Sequence, residues 1–324
     1  MLSLKDLKNL FEQELENPVF PADYKNLYDP ANYIMSLGGK RIRPIMVYAA
    51  LEAFSKPYKW GTDAAKAVEV FHNFSLVHDD IMDAADIRRS QQTVHVKWDT
   101  NTAILSGDVM LVKAYELLQN YDMEMLPDLL SVFSRTAKEV CEGQRLDMDF
   151  EQRDDVSIEE YISMITFKTA VLLACSLQLG AIIAGVDKDD QRHIYEFGKN
   201  VGIAFQIQDD IIDTYGDSSK TGKKQGGDIL QNKKTYLYLK SLQLLSDSQK
   251  NELEGLYNSK DHDPEDKIKQ VTKLFDESFV KIHAEELKNG YRDLALSHLA
   301  ALDLPDDKTK TLLELVDFLQ DRDN

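Results

Sequence analysis

The 324-residue sequence is poor in turn-forming residues and in cysteine. Its 15 glycines and 8 prolines fall well short of the roughly 12% of Gly plus Pro in an average protein. This shortage predicts few, long elements, and therefore helices. The two cysteines, Cys141 and Cys175, are too few for a disulfide framework. Both lie in apolar helical patterns, which predicts two buried thiols.

Basic charge is also scarce, and this excludes several classes of partner. The 38 Lys and Arg residues face 56 Asp and Glu residues, for a net charge of −18. The excess of basic residues that is typical of nucleic-acid-binding proteins is missing, and an anionic membrane surface would repel the chain. The N-terminal pattern carries acids rather than the features of a signal peptide. The longest apolar run, residues 171–186, is short for a membrane span and predicts a core helix. We therefore expect a cytoplasmic protein without an integral membrane segment.

Apolar residues recur at helical spacing through most of the chain, and no β-branched alternation is long enough to predict a sheet. Apolar residues make up 43% of the sequence, enough for a substantial core, and no low-complexity linker divides it. We predict an all-α fold with one domain over residues 1–324, a single large helical bundle around a central cavity. The predicted helices cover residues 2–15, 64–82, 104–118, 126–140, 158–185, 191–215, 235–245 and 268–302.

One acidic pattern occurs twice. Residues 79–83 read DDIMD, and residues 209–213, 130 positions later, read DDIID. On a helix the first and last carboxylates of each motif share a face, and the second lies close beside them. Such carboxylates repel one another unless cations lie between them, and oxygen ligands of this kind suit Mg²⁺. Other Asp-Asp pairs occur in this acidic chain, but only these two complete the pattern within apolar sequence. Carboxylates are costly there unless paired or metal-bound, so we predict that both motifs bind metal.

Basic residues cluster in sequence around the two acidic motifs. Lys40 and Arg43 in GGKRIRP are three apart, which predicts one side of a helix and a suitable grip for a diphosphate. His72 lies one heptad before Asp79 and is predicted to face the same way. Further basic or polar candidates are Arg88, Arg89, Lys168, Thr169, Lys223, Lys233 and Lys234. Each alone is more often a surface group, but their clustering in a chain poor in positive charge favours anion binding.

These motifs closely resemble those of the trans-isoprenyl diphosphate synthase (polyprenyl synthetase) family. The matching stretches are GGKRIRP, HNFSLVHDDIMD with the following RR, GQRLD, FKTA, FQIQDDIID, and GKKQGGDI with NKKT. They run in the family's order and cover about residues 30–240, whereas the C-terminal quarter matches in helical character only. One departure is Ser90, where the family usually has Gly. The resemblance implies a helical isoprenoid synthase fold and the condensation of isopentenyl diphosphate with an allylic diphosphate.

The resemblance also implies a role for each matching residue. The ligands and surroundings of three Mg²⁺ ions that hold the allylic diphosphate would be Asp79, Asp80, Asp83, Asp209 and Asp213. The cationic side of that pocket would be Arg88, Lys168, Lys223 and Lys233. The diphosphate of isopentenyl diphosphate would be held by Lys40, Arg43, His72 and Arg89. Thr169 and Gln206 would line the reacting centre. The family usually forms homodimers, which we expect here.

Product length is expected to depend on the helix before the first motif. Ser75, Phe74 and Phe71 precede Asp79 by four, five and eight positions, and the motif has no insertion. In the family, a small residue at the fourth position before the motif with an aromatic residue at the fifth suggests that the aromatic ring closes the end of the product cavity. Such a ring, the floor of the cavity, would keep the product short. This predicts farnesyl (C15) or geranylgeranyl (C20) diphosphate, made from dimethylallyl, geranyl or farnesyl diphosphate. The alternative is that Phe71 and Phe74 are ordinary core aromatics.

Other functions share some of these features. A class I terpene cyclase also uses an aspartate motif and Mg²⁺, but it does not need a second diphosphate site such as GGKRIRP with His72 and Arg89. A non-catalytic subunit of a heteromeric prenyl synthase would be expected to lose one aspartate motif, and both are intact. A di-iron carboxylate bundle requires Glu-x-x-His pairs, which do not occur at suitable places.

Overall fold

A computed structural model describes residues 2–216, 225–258 and 263–320 of the chain. Helices make up nearly all regular structure in these ranges, so the prediction of an all-α fold is confirmed. They are α1 (Leu4–Glu14), α2 (Lys25–Ser36), α3 (Ile42–Ala53), α4 (Thr62–Met82), α5 (Val94–Lys97), α6 (Thr100–Leu118), α7 (Leu126–Glu151), α8 (Ile158–Ile165), α9 (Val171–Ala184), α10 (Lys188–Tyr215), α11 (Gly227–Leu230), α12 (Tyr236–Leu244), α13 (Asp247–Asn258), α14 (Pro264–Glu277), α15 (Val280–Ala300) and α16 (Asp306–Gln320). A 3₁₀ turn (Tyr58–Gly61) precedes α4, a π-turn (Thr166–Ala170) joins α8 to α9, and strands β1 (Ile87–Arg88) and β2 (Gln91–Gln92) form a short hairpin.

Several helices begin where the local sequence offers a cap. Ser3 accepts a hydrogen bond from the backbone N–H of Asp6, whose carboxylate accepts in return from the N–H of Ser3. Ser157 and Glu160 make the same reciprocal capping box at the start of α8. Each box satisfies backbone donors that a helix start leaves open, and a cap of this kind contributes about 1 kcal/mol. These starts are therefore encoded locally.

Two local predictions are wrong. Residues 268–302 were expected to form one helix, but Phe279 adopts a left-handed conformation (φ 55°) between α14 and α15. A left-handed aromatic residue costs about 1–2 kcal/mol and is therefore not expected at such a position. No Gly or Pro marks the break in the sequence, so the pattern could not reveal it. Both cysteines were expected to be buried. Cys175 is buried, but Cys141 lies on an exposed position of α7.

The chain divides into two compact units, each with its own core. The first contains the chain as far as Arg135, with Leu172–Tyr195 and Leu302–Glu314; the second contains Thr136–Val171, Glu196–Ala301 and the chain from Leu315 onward. In the first unit, α4 is buried on several sides and packs against α3 and α6. In the second, apolar residues of α8, α10, α12, α14 and α15 form one cluster. The single domain with a central cavity remains a prediction.

Within the described residues, one helical run, Ile158–Ala184, is long and apolar enough to cross a membrane. Its most apolar window is 78% buried within the protein. Burial of this extent is typical of a core helix, which is what the sequence predicts for residues 171–186.

Candidate functional site

The first aspartate motif lies at the C-terminal end of α4. Asp79 is half-buried, Asp80 is 1% exposed, and Asp83, which follows the last helical residue, is exposed. Both carboxylate oxygens of Asp80 accept from Nε of Arg88, at 2.8 and 2.9 Å. Burial raises the pKa of Asp80, although the Arg88 guanidinium opposes that shift. Two predicted site residues thus form a pair, and Asp79 and Asp83 are the more accessible carboxylates of the motif.

The hairpin after α4 contacts the loop that contains Gly38, Gly39 and Lys40. Its two-residue turn, Arg89 and Ser90, has positive φ at both positions (51° and 61°), a geometry that favours Asn or Gly. Arg89 Nη1 donates to the carbonyl of Gly38. A Cβ atom on Gly39 (φ 135°) would lie 3.1 Å from Cζ of Arg89. Gly39 therefore leaves room for the guanidinium to lie against the loop.

Arg43 and His72 are in direct contact, as the sequence predicts for residues of one anion site. Arg43 Nη1 lies 3.1 Å from Nε2 of His72. Lys40, however, is exposed and precedes α3, which begins at Ile42 after a left-handed Arg41 (φ 54°). The expected helical relation between Lys40 and Arg43 is therefore wrong, because only Arg43 lies on the helix. We call Arg43, His72 and Arg89 the arginine group.

Electrostatics keep His72 uncharged. Burial, followed by the positive charges of Arg43, Arg89, Arg88 and Arg41, lowers the pKa of His72 well below its usual value. Burial also lowers the pKa of Arg43 to about 10, so that side chain remains a cation at neutral pH. Since Arg43 donates to Nε2, the neutral ring carries its proton on Nδ1. The arginine group therefore combines two guanidinium cations with one neutral N–H donor.

Glu69 is a buried partner of this region that motif reasoning missed. It is 2% exposed and accepts from Arg41 Nη1 at 2.5 Å and from the Asn73 amide at 3.1 Å. Arg41 also donates to the carbonyl of Met35, at 2.7 Å. A buried charge is tolerated when it is paired in this way. The sequence signal was a single acid between apolar residues of α4.

Asp210 of the second aspartate motif, on α10, belongs to a partly buried hydrogen-bond network. Thr169 donates to Oε1 of Gln206 at 3.1 Å, and Gln206 Nε2 donates to Asp210 Oδ1 at 3.0 Å. The hydroxyl of Tyr161 donates to the other Asp210 oxygen at 2.5 Å. Burial, together with the negative charge of Asp228, raises the pKa of Asp210 well above its usual value. Thr169 and Gln206 are adjacent, as predicted, but Tyr161 and the anchoring role of Asp210 were missed.

The other two carboxylates of this motif are half-buried. Asp209 and Asp213 both lie on α10, and Asp213 Oδ2 accepts from the backbone N–H of Asp228 at 2.9 Å. The backbone carbonyl of Asp213 also accepts from the N–H of Gly226, at 2.7 Å. These contacts hold Gly226 and the start of α11 against the end of α10.

Lys168 and Lys233 meet at one carboxylate. Their ammonium groups donate to the same oxygen of Asp147, at 2.6 and 3.1 Å, and Lys233 also donates to Glu151 at 2.9 Å. Burial alone would raise the pKa of Asp147, but the two ammonium groups outweigh it and hold that pKa below its usual value. We call Lys168 and Lys233 the lysine pair. Lys223, the remaining predicted cation of this pocket, lies outside the described residues.

The carboxylates of the two motifs differ in how well they suit a metal ion. Among the described residues, no three Asp, Glu, His or Cys side chains already form a metal-binding cluster. Asp80 is a poor ligand here because both of its oxygens accept from Arg88. Asp79, Asp83, Asp209 and Asp213 have the hard oxygen donors that Mg²⁺ prefers, and Mg²⁺ commonly takes only one or two carboxylates together with phosphate and water.

An all-α chain with two aspartate motifs and separate clusters of arginine and lysine has the features of helical proteins that act on diphosphate esters. The family model for polyprenyl synthetases matches residues 24–275. The chain belongs to the polyprenyl synthetase family and is of its short-chain trans type.

Named relatives agree with this assignment over nearly their whole length. A geranylgeranyl pyrophosphate synthase of Geoglobus acetivorans is 36% identical over 323 residues, 99% of this chain and 98% of the relative. A geranylfarnesyl diphosphate synthase of Natronomonas pharaonis is 35% identical over 318 residues, 92% of this chain and 90% of the relative. The crystal structure of a geranylgeranyl pyrophosphate synthase superposes with a TM-score of 0.95 at 46% identity, covering 100% of both chains. The isoprenoid synthase fold implied by the motifs is thereby confirmed.

Proposed function

We propose that the protein condenses isopentenyl diphosphate with dimethylallyl, geranyl or farnesyl diphosphate to give a C15–C20 prenyl diphosphate. The observation that carries this proposal is the presence of two separate cationic groups. The arginine group supports binding of one diphosphate, and the lysine pair supports binding of another. A terpene cyclase binds one diphosphate substrate, and a non-catalytic subunit would be expected to lose one of the two aspartate motifs, so both alternatives account for fewer of these residues.

The reaction proceeds through binding, ionisation and proton loss, and the residues of the site can be assigned to these steps. Lys168, Lys233 and Arg88 hold the allylic diphosphate and stabilise the negative charge that develops as its C–O bond breaks. Thr169 and Gln206 present oxygen atoms to the allylic cation. Arg43, His72 and Arg89 hold isopentenyl diphosphate, whose double bond attacks that cation. The proton then lost from the new chain passes to the departing diphosphate, so no side chain is required as nucleophile.

Mg²⁺ would be held by Asp79, Asp83, Asp209 and Asp213, with Asp80 orienting Arg88. When bound, it supplies a Lewis acid that neutralises charge on the leaving diphosphate. The number of ions, three in the family's pattern, is part of this proposal. Removal of Mg²⁺ with EDTA is expected to abolish turnover, and adding Mg²⁺ back is expected to restore it.

The proposal extends to the protein's assembly and location. We place the enzyme in the cytoplasm as a homodimer, as the family resemblance implies. Leu105 and Val112 lie on one side of α6 and are 59% and 65% exposed, which supports a helical partner surface there. Light scattering coupled to gel filtration tests this: twice the chain mass is expected, and the mass of a single chain would contradict it.

A product assay tests the activity. Isotope-labelled isopentenyl diphosphate is supplied with Mg²⁺ and each of the three allylic diphosphates in turn, and the products are separated by chain length after dephosphorylation. We expect label in linear C15 or C20 alcohols. A cyclic hydrocarbon without label would instead identify a cyclase, and no product with any primer would identify a non-catalytic subunit.

A further inference from the structure

Asp147 has no role in the reaction described above, yet it contacts both members of the lysine pair. It lies on α7 and is 8% exposed. Because both bonds end on Oδ2, at 2.6 and 3.1 Å, the nitrogens of Lys168 and Lys233 lie no more than about 6 Å apart. Each ammonium has three N–H donors, so these contacts leave donors on both lysines for phosphate oxygens.

The backbone of Lys168 is located by the same helix that carries Asp147. Gly143 precedes Asp147 by one helical turn, and a Cβ atom on Gly143 would lie 2.3 Å from the backbone nitrogen of Lys168. The backbone of the π-turn therefore packs directly on α7, and only glycine permits this approach. One face of α7 thus sets both ends of the Lys168 side chain, since Gly143 fits its backbone and Asp147 binds its ammonium.

The other lysine is anchored independently. The backbone N–H of Lys233 donates to the carbonyl of Asp228 at 2.9 Å. The preceding residue, Asn232, is left-handed (φ 57°), and its side chain accepts from the ammonium of Lys267 at 2.5 Å. Lys233 is thereby fixed at its backbone, and Asp147 completes its position at the ammonium.

We propose that Asp147 is a positioning residue that holds Lys168 and Lys233 at the spacing needed to grip one diphosphate group. This inference rests on the proposed function, in which the lysine pair binds the allylic diphosphate. Asp147 does not itself touch the substrate. Its carboxylate offsets the repulsion between two close ammonium groups and orders their side chains before the substrate arrives.

Removing the charge of Asp147 is expected to change diphosphate affinity in opposite directions, depending on whether Asp147 positions the lysines or acts only through its charge. Asp147→Asn keeps the shape of the side chain and removes one negative charge beside an anion site. Electrostatics alone predicts that diphosphate binds more tightly to this variant. Loss of positioning predicts the reverse, because the two lysines then repel and no longer share an anchor.

The experiment measures binding of inorganic diphosphate with Mg²⁺ by titration calorimetry, and the Michaelis constants of both substrates. Asp147→Asn is compared with Glu151→Gln, which removes the charge of the exposed partner of Lys233. We expect Asp147→Asn to weaken diphosphate binding and raise KM for the allylic substrate about tenfold or more, with KM for isopentenyl diphosphate unchanged. Glu151→Gln is expected to stay close to wild type in all three measurements.

A second comparison shows whether Asp147 acts through Lys168. In a Lys168→Met background, Asp147→Asn is expected to cause little further loss of diphosphate binding. If Asp147→Asn fails to fold by circular dichroism, Asp147→Glu replaces it; that variant keeps the charge but shifts the oxygen, and a severalfold loss of diphosphate binding is expected.

Several results would overturn the inference. One is that the Asp147→Asn chain binds diphosphate as tightly as the wild type or more tightly. Another is that Asp147→Asn weakens diphosphate binding as much in the Lys168→Met background as in the wild type. The third is an equal rise in the Michaelis constants of both substrates. The calorimetric result does not depend on turnover. A wild-type chain that binds diphosphate but never incorporates isopentenyl diphosphate would therefore reject the proposed function and leave this inference tested on its own.

Discussion

Phe74 is expected to limit the length of the product, and Phe74→Ala tests this directly. Phe74 is 8% exposed on α4, one turn and a residue before Asp79. Its ring packs against His78 and Phe71, with centroids 4.8 and 5.5 Å away. Replacing the benzyl side chain by a methyl group frees a volume close to one five-carbon isoprene unit. A second layer remains, because Phe71 packs against Phe133 at 5.4 Å. The product is therefore expected to lengthen by about one unit rather than without limit.

The assay is chromatography of dephosphorylated products from labelled isopentenyl diphosphate. Phe74→Ala also costs stability, about 3 kcal/mol if the space stays empty. Phe11→Ala is the matched control, since Phe11 is fully buried and packs on Tyr48 at 6.2 Å. That variant is expected to lose similar stability with wild-type products. A folded Phe74→Ala enzyme with the wild-type product would refute the assignment of Phe74 as a floor and favour its being an ordinary core aromatic.

Three further predictions concern stability. Ser90→Gly is expected to raise the free energy of unfolding by about 0.5–1 kcal/mol, because glycine removes the strain of a left-handed residue in the hairpin turn; a lower urea midpoint would contradict this. Tyr161→Phe leaves the buried Asp210 without one of its donors and is expected to cost about 1–3 kcal/mol, whereas Tyr24→Phe, at an 80% exposed position, is expected to cost nothing measurable. His72 resists protonation in the folded state, so below about pH 6.5 the unfolded chain binds a proton there that the folded chain does not. Relative to His72→Gln, the wild type is therefore expected to lose stability between about pH 7 and pH 5, and a difference independent of pH would refute the buried, neutral imidazole.

Helical periodicity in the sequence was sufficient for most of the fold. The predicted helix over residues 64–82 corresponds to α4 (Thr62–Met82), and that over residues 104–118 to α6 (Thr100–Leu118). Both are long, strongly periodic and bounded by local signals. The π-turn and the break at Phe279 could not be predicted, because each changes backbone geometry within an otherwise helical pattern and depends on packing against other elements.

It was harder to predict which side chains of the candidate site contact one another than to predict which residues belong to the site. The sequence identified Thr169 with Gln206 and Arg43 with His72 as members of common sites, and each pair is in contact. It grouped Asp80 with the carboxylates around the metal ions and Asp147 with the motif GQRLD, but it did not indicate that Asp80 contacts Arg88 or that Asp147 contacts two lysines. Which carboxylate binds a metal and which binds a lysine or arginine depends on side-chain positions in three dimensions. A spacing along one helix does not contain that information.

The central claim is that two separate cationic groups bind two different diphosphates. Steady-state kinetics of Arg43→Gln and Lys168→Met, with each substrate varied in turn, test it most directly. We expect Arg43→Gln to raise KM for isopentenyl diphosphate and Lys168→Met to raise KM for the allylic substrate, each about tenfold or more, with the other constant little changed. If both variants raised both constants equally, or if Arg43→Gln left KM for isopentenyl diphosphate unchanged, the assignment of the two groups would be contradicted.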